Sequence, residues 1–271
     1  MNYQTYPSHP DLSSWVSCYW TLEVPAESDP QKQRIVPDGC IEMAFILGDD
    51  VRRYTSETEF ILQPRSMVLG QTIRPFLIQP TGYVNTFAIR FYPYGFSSFV
   101  DVPIERLANK ETPIHELFDN DLAKELEVQV TRAASTEERI EIIDRFLLDR
   151  LSEKRTIDRI VINAVDTLLA MKGNAAVGHI ANADLVTQRQ LQRKFLKQVG
   201  IGPKQLGKVI RFRSALKRIL DRNTGTLTDI AYEADYYDQA HFIKDFKEYT
   251  GTTPKQFLNT ESLGLSALFY K

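Results

Sequence analysis

Apolar positions in residues 1 to about 110 fall in short runs at 15–20, 41–47, 60–62, 67–69, 76–78 and 84–92. Turn formers separate them, among them Pro37-Asp38-Gly39, Gly48-Asp49-Asp50, Pro80-Thr81-Gly82 and Pro93-Tyr94-Gly95. Many short strands at close spacing, punctuated by glycine and proline, predict a barrel or double-sheet roll. Thr86, Ala88 and Arg90 alternate with Phe87, Ile89 and Phe91, which is the two-residue period of a strand.

Near residue 113 the period becomes helical. Ile114, Leu117 and Phe118 share one face, as do Leu122, Leu126 and Val130. Ile140, Ile143, Phe146, Leu147 and Leu151 follow at spacings of three and four. Ser135 or Thr136 is available as a cap, and Glu137-Glu138 suits the positive end of a helix. The stripes predict a helical hairpin packed beside the β-roll or, alternatively, forming a dimer seam. Residues 152–156 read as a domain junction. Ile157, Ile160, Val161, Ala164, Val165 and Leu168 then make a helix that stops near Lys172-Gly173-Asn174.

Beyond this point one pattern occurs twice, fifty or fifty-one residues apart. The first copy has His179-Ile180-Ala181, Leu191-Gln192-Arg193-Lys194-Phe195 and Gly202-Pro203-Lys204-Gln205; the second has Asp229-Ile230-Ala231, Phe242-Ile243-Lys244-Asp245-Phe246 and Thr253-Pro254-Lys255-Gln256. A repeat of two short helices is the arrangement of paired helix-turn-helix motifs, which points to DNA. The motifs fall at about 176–199 and 227–250. In the first, Thr187 is the expected cap of the second helix and Leu191, Phe195 and Val199 face the core. Arg189, Gln190 and Arg193 stay outside, and Arg and Gln can each make two hydrogen bonds to one base edge. In the second, Asp238 is the expected cap, Phe242 and Phe246 face inward, and Gln239 and Lys244 are the outward candidates. His241 is either a satisfied structural residue or a base contact. Between the motifs, residues 208–220 form a helix whose Lys208, Arg211 and Lys217 are candidate phosphate contacts; such a helix holds two reading heads roughly one DNA turn apart.

Charge supports this division. Residues 1–155 carry 16 Lys and Arg against 24 Asp and Glu, whereas residues 156–271 carry 17 against 11. A basic C-terminal part joined to an acidic N-terminal one fits a polyanion-binding module tethered to something else. No stretch approaches the roughly 18–20 apolar residues of a membrane span, and the polar residues 1–10 lack a signal pattern, so a cytoplasmic location is expected. Cys18 and Cys40 form no CxxC motif and read as free thiols. A β-roll enzyme needs two or three His with a carboxylate, and residues 1–110 hold only His9, near a terminus expected to be loose. No catalytic, metal or cofactor residues are assigned.

The repeat resembles the AraC/XylS family of bacterial transcription regulators. The resemblance covers about 176–258 and is carried by 189–195 with 199–204, and by 238–246 with 250–254. It implies a seven-helix domain with two major-groove helices, and it gives base reading to Arg189, Gln190, Arg193, Gln239 and Lys244. One departure is Asp235 in the second turn, where the family commonly has glycine; Asp tolerates the left-handed conformation better than most residues. The N-terminal part, through 36–42, 68–70 and 88–95, resembles the sensor domains that accompany such modules, which implies a cupin-like roll for effector binding or dimerisation. Trp20, Phe45, Phe87 and Phe91 could line an effector pocket or fill the core. The expected fold is therefore α+β in two domains, a cupin-like β-roll with a helical hairpin at 1–152 and an all-α domain at 156–271. The expected partners are double-stranded DNA, a small-molecule effector, a second copy and, for an activator, RNA polymerase. A weakly specific architectural DNA-binding protein is the alternative and a cupin-type enzyme the remote one. The apolar tail at 262–271 has no assigned role.

Overall fold

The computed structural model describes residues 1–151, 157–183, 185–221 and 226–259. The expected junction at 152–156 and the tail at 262–271 lie outside the described residues.

The N-terminal part is built from two antiparallel sheets. Its strands are β1 (Asn2–Tyr6), β2 (Val16–Val24), β3 (Gln33–Ile35), β4 (Ile41–Ile46), β5 (Val51–Tyr54), β6 (Phe60–Leu62), β7 (Ser66–Leu69), β8 (Phe76–Pro80), β9 (Val84–Phe91) and β10 (Glu111–Pro113). Six strands run in the order β1-β2-β9-β4-β7-β10, and four in the order β3-β8-β5-β6. Residues 1–10 are not loose: β1 pairs with β2 along its length, and the His9 side chain accepts from the Asp11 amide at the start of a short 3-10 turn. The expected helical face at 114–118 is instead a single 3-10 turn, Ile114–Glu116.

Strand alternation sorts the side chains of the large sheet. Tyr19, Met43, Phe45, Val68, Phe87, Ile89 and Phe91 point to one face, where helices α1 (Asn120–Arg132) and α2 (Thr136–Leu151) cover them with Leu126, Val130, Ile143 and Leu147. Trp20, Leu22, Ala44, Ile46, Met67, Val84 and Ala88 point to the other face, toward the small sheet. Of the four aromatic residues expected at a pocket, Phe45 and Phe87 are core residues beneath the helices, at most 1% exposed; Phe91 is equally buried but also borders a cavity between the two parts of the chain, and Trp20 faces the space between the sheets. The hairpin packs on the roll because both its stripe and this aromatic face need burial. Ser135 caps α2 by accepting from the Glu138 amide. Two polar contacts pin the hairpin: the Tyr19 hydroxyl donates to Asp144 and the Ser66 hydroxyl to Glu127.

The C-terminal part contains, among the described residues, the seven helices the resemblance implies. They are α3 (Arg159–Ala170), α4 (Val177–Ala183), α5 (Gln188–Gln198), α6 (Pro203–Leu220), α7 (Leu227–Glu233), α8 (Gln239–Thr250) and α9 (Pro254–Asn259). Helix α6 begins earlier than its apolar stripe because Pro203 suits the first helical turn, where no amide is needed. Its eighteen residues span about 27 Å and serve two cores. Leu206 and Ile210 join Val161, Leu168, Leu191 and Phe195 at one end; Phe212, Leu216 and Ile219 join Ile230, Phe242, Phe246 and Tyr249 at the other. The N-terminal part enters both: Tyr94 is buried in the first core and Val36 in the second.

Candidate nucleic-acid interface

In the first motif, α4 turns through Leu185, whose φ is 54°, into α5. Thr187 caps α5 as a full capping box: its hydroxyl accepts from the Gln190 amide at 3.2 Å, and the Gln190 side-chain oxygen accepts from the Thr187 amide at 2.8 Å. Two of the orphan amides at the helix start are satisfied this way. Gln190, expected to read a base, therefore has its side-chain oxygen engaged in the cap. Leu191, Phe195 and Val199 are fully buried at i, i+4 and i+8. Gln188, Arg189, Gln192, Arg193 and Lys197 are exposed. Lys194 is held on the inner side by Asp158.

In the second motif, Thr226 and Asp229 form the same capping box on α7. The turn passes through Asp235 with a φ of 56°, the left-handed position expected from the missing glycine. Asp238 caps α8 by accepting from the His241 amide at 2.7 Å. Phe242, Phe246 and Tyr249 are buried, while Gln239, Lys244 and Lys247 are exposed. Gly251, with a φ of 74°, ends the helix in the left-handed cap that favours glycine.

The structure also places a residue that the sequence reading passed over. Asp245, on the inner face of α8, is 1% exposed. It is faced by Lys208 Nζ at 3.5 Å, Arg211 Nη2 at 3.5 Å and His241 Nε2 at 3.6 Å. Lys208 and Arg211, two of the three candidate phosphate contacts, are thus turned toward a buried carboxylate, and His241 has a protein partner. Lys217 is exposed on the outer side of α6. An acid at a helix position reads from sequence as a solvated residue, so only the packed structure reveals it.

Taken together, two capped helices packed against α6 each present a row of Arg, Gln or Lys side chains able to reach base edges. The amides at their N-terminal ends favour phosphate oxygens.

Two of the cavities bordered by the N-terminal part lie beside the Glu42–Arg90 pair. One, of about 100 Å³ between the sheets, is lined by Trp20, Leu22, Glu42, Met67, Phe76 and Ile78. Glu42 is bonded there to Trp20 and Arg90, and burial raises its carboxyl despite the Arg90 charge. The second, of about 790 Å³, lies between the two parts of the chain; Tyr3, Cys18, Cys40 and Arg90 line one side and Leu169, Ile210 and Arg213 the other. Burial pushes the Cys40 thiol up to about 12 and raises Cys18 as well, so both line the cavity as neutral thiols. No group of three His, Cys, Asp or Glu suited to a metal occurs among the described residues, and no helix among them is long and apolar enough to cross a membrane.

Two families match the chain: a domain of unknown function (DUF6597) over residues 4–113 and a helix-turn-helix domain over residues 180–260. No curated protein matches it. Among solved structures it is similar to ToxT from Vibrio cholerae, with 14% identity over 89% of this chain and 98% of that one and a TM-score of 0.48. Unsaturated-fatty-acid-bound ToxT from strain SCE256 is also similar, at 12% identity, 89% and 94% coverage and a TM-score of 0.49. The C-terminal domain of AraT, a response regulator from Geobacillus stearothermophilus, is 23% identical over 40% of this chain and 89% of that one, with a TM-score of 0.36. With two capped helices packed against one joining helix, and a helix-turn-helix match over the same residues, residues 180–260 form a DNA-binding helix-turn-helix domain of the AraC type.

Proposed function

We propose that the chain reads a two-block DNA sequence with α5 and α8, and that a small molecule bound by the N-terminal part controls this reading. The observation that carries the first half is the pairing of exposed Arg189 and Arg193 on one capped helix with exposed Gln239 and Lys244 on the other. Arg and Lys suit guanine and Gln suits adenine. Lys217 and Lys197, exposed beside the reading faces, serve the phosphates, which contribute affinity without sequence.

Control by an effector is supported by the contacts between the two parts. Besides Tyr94 and Val36, Gly39 packs on Leu206 and Val209, and Ile104 lies against Gly200 at the end of α5. Movement of the roll therefore bears on both reading helices. The 790 Å³ cavity is within the usual size of small-molecule sites, roughly 300–1,000 Å³, whereas the space between the sheets is much smaller. A ligand there touches both parts at once. It shifts DNA affinity only by binding the competent and incompetent arrangements unequally.

The test is selection from random duplex DNA with the full chain at two salt concentrations. The expected result is a motif of two blocks separated by about one helical turn. Binding to all sequences alike, vanishing as salt rises, would leave only the electrostatic component and favour the architectural alternative.

A further inference from the structure

The two reading helices are joined by more than α6. Asn174, in the turn leading from α3 into the first motif, donates to Asp235 Oδ2 at 3.0 Å. Its own side-chain oxygen accepts from Arg211 Nη1 at 3.3 Å. Asp235 is the left-handed turn residue of the second motif. Arg211, near the middle of α6, also brings Nη2 to 3.5 Å from the buried Asp245 on α8 and lies 4.6 Å over the Tyr236 ring. One guanidinium therefore touches the entry to the first motif, the turn of the second and the second reading helix.

Backbone packing holds the Asn174 turn in place. A Cβ on Gly173 would lie 2.1 Å from the Gly207 carbonyl oxygen, and one on Gly207 would lie 2.9 Å from the Gly173 oxygen. The turn and α6 touch backbone to backbone, so the Asn174 amide is delivered to Arg211 with little freedom. Apolar stripes alone let packed helices shift by small amounts, because hydrophobic attraction is non-directional. A charge-assisted hydrogen bond fixes a geometry, and displacing Arg211, whose side chain is 15% exposed, strands a buried charge. Buried ion pairs are weak evidence for stability, and their best-attested use is to specify register.

We infer that Arg211 is a positioning residue that, with Asn174, Asp235 and Asp245, sets the relative placement of the two reading helices and so the spacing between the two DNA blocks the chain accepts. The inference rests on the DNA-reading function proposed above. It gives Arg211 a role distinct from phosphate binding, and the two roles predict different data.

Duplexes recovered by selection with the full-length wild-type protein are remade with one or two base pairs added or removed between the blocks. The wild type is expected to bind each altered spacing at least about tenfold more weakly. Arg211→Met keeps the aliphatic stem and loses the guanidinium; Asn174→Ala removes the bridge between motifs from a more exposed position. Both are expected to reduce the spacing preference to about threefold or less while base preferences within each block stay as in the wild type. Lys208→Ala, which removes a cation facing Asp245 but no contact to Asn174, is expected to keep the spacing preference. Unchanged spacing preference in Arg211→Met and Asn174→Ala overturns the inference, as does an equal loss at every spacing, the signature of a phosphate contact. Should Arg211→Met fail to unfold cooperatively, Asn174→Ala decides alone. A wild-type protein that enriches no sequence overturns the DNA-reading function and this inference with it. Wild-type enrichment with unaltered variants overturns this inference only.

Discussion

Single residues separate the roles assigned to the two reading helices. Arg193→Ala and Gln239→Ala each delete a side chain able to pair with one base edge, and each is expected to cost about 1–3 kcal/mol of binding at one or two base pairs. Quantitative binding to a panel of single-base variants reads this directly, and a uniform loss across the panel from Arg193→Ala contradicts base reading. The turns make a different residue-scale prediction. Leu185 sits at a φ of 54° with 95% of its surface exposed, so no burial offsets a conformation that costs an L-residue roughly 1–2 kcal/mol. Leu185→Asn is expected to stabilise the chain by about 0.5–1 kcal/mol, since Asn enters this region readily. A urea midpoint that rises with unchanged slope confirms it; an unchanged midpoint refutes it. Asp235 has a similar φ but hydrogen-bonds Asn174, so the same argument does not extend to it.

At the scale of elements, caps and pinning contacts decide. Thr187→Ala removes a complete capping box from α5 and is expected to cost about 1 kcal/mol of stability; it also frees Gln190 from the cap. Thermal melts give the first effect. The hairpin carries a pH prediction. Burial holds the Asp144 carboxyl above its usual range, although the Tyr19 hydroxyl bond opposes this. The folded state then binds this proton more tightly than the unfolded chain. The resulting stability is present below the ordinary carboxylate range and is lost as pH rises through the raised folded value. Asp144→Asn is expected to flatten that part of the curve, seen as a melting temperature that falls less than the wild type's between about pH 4 and about pH 7; parallel curves would mean that Asp144 does not contribute. Much of this element pattern is legible in the chain. The repeat located both motifs with their caps, and the alternation of Phe87, Ile89 and Phe91 identified β9. Alternation gives two faces without saying which one meets helices, and so it leaves open which of Phe45, Phe87 and Phe91 fill the core, as most aromatics of a roll do, and which border a cavity, as Phe91 does. Strands β1, β3, β5 and β10 are short and polar or end in proline, which leaves no apolar run to detect. Asp245 escaped notice because its partners lie 4 to 37 residues away and only packing joins them.

For the whole molecule the question is whether roll and helices behave as one unit. Interfaces between domains of one chain are commonly small and polar, which makes relative motion the usual expectation. Here Tyr94, 7% exposed, sits inside a core built mainly by α3, α4, α5 and α6, with Trp15 and Tyr92 packed against it. Coupling through that shared core predicts one unfolding transition by any probe. The chain supplies two independent probes: both tryptophans, Trp15 and Trp20, lie in the N-terminal part, while most helical circular dichroism comes from α3 to α9. In the wild type the fluorescence and dichroism melts are expected to coincide. Tyr94→Ala removes the wedge, at a cost comparable to the roughly 3–5 kcal/mol of a large aromatic-to-alanine change, and is expected to separate them, with the two parts unfolding at different temperatures. The same variant should bind DNA with an affinity insensitive to whatever ligand shifts the wild type, because the roll then moves without carrying α5 and α6 along. Coincident melts in Tyr94→Ala would place the coupling elsewhere along the seam, at Val36 and Gly39 where the N-terminal part meets the second core.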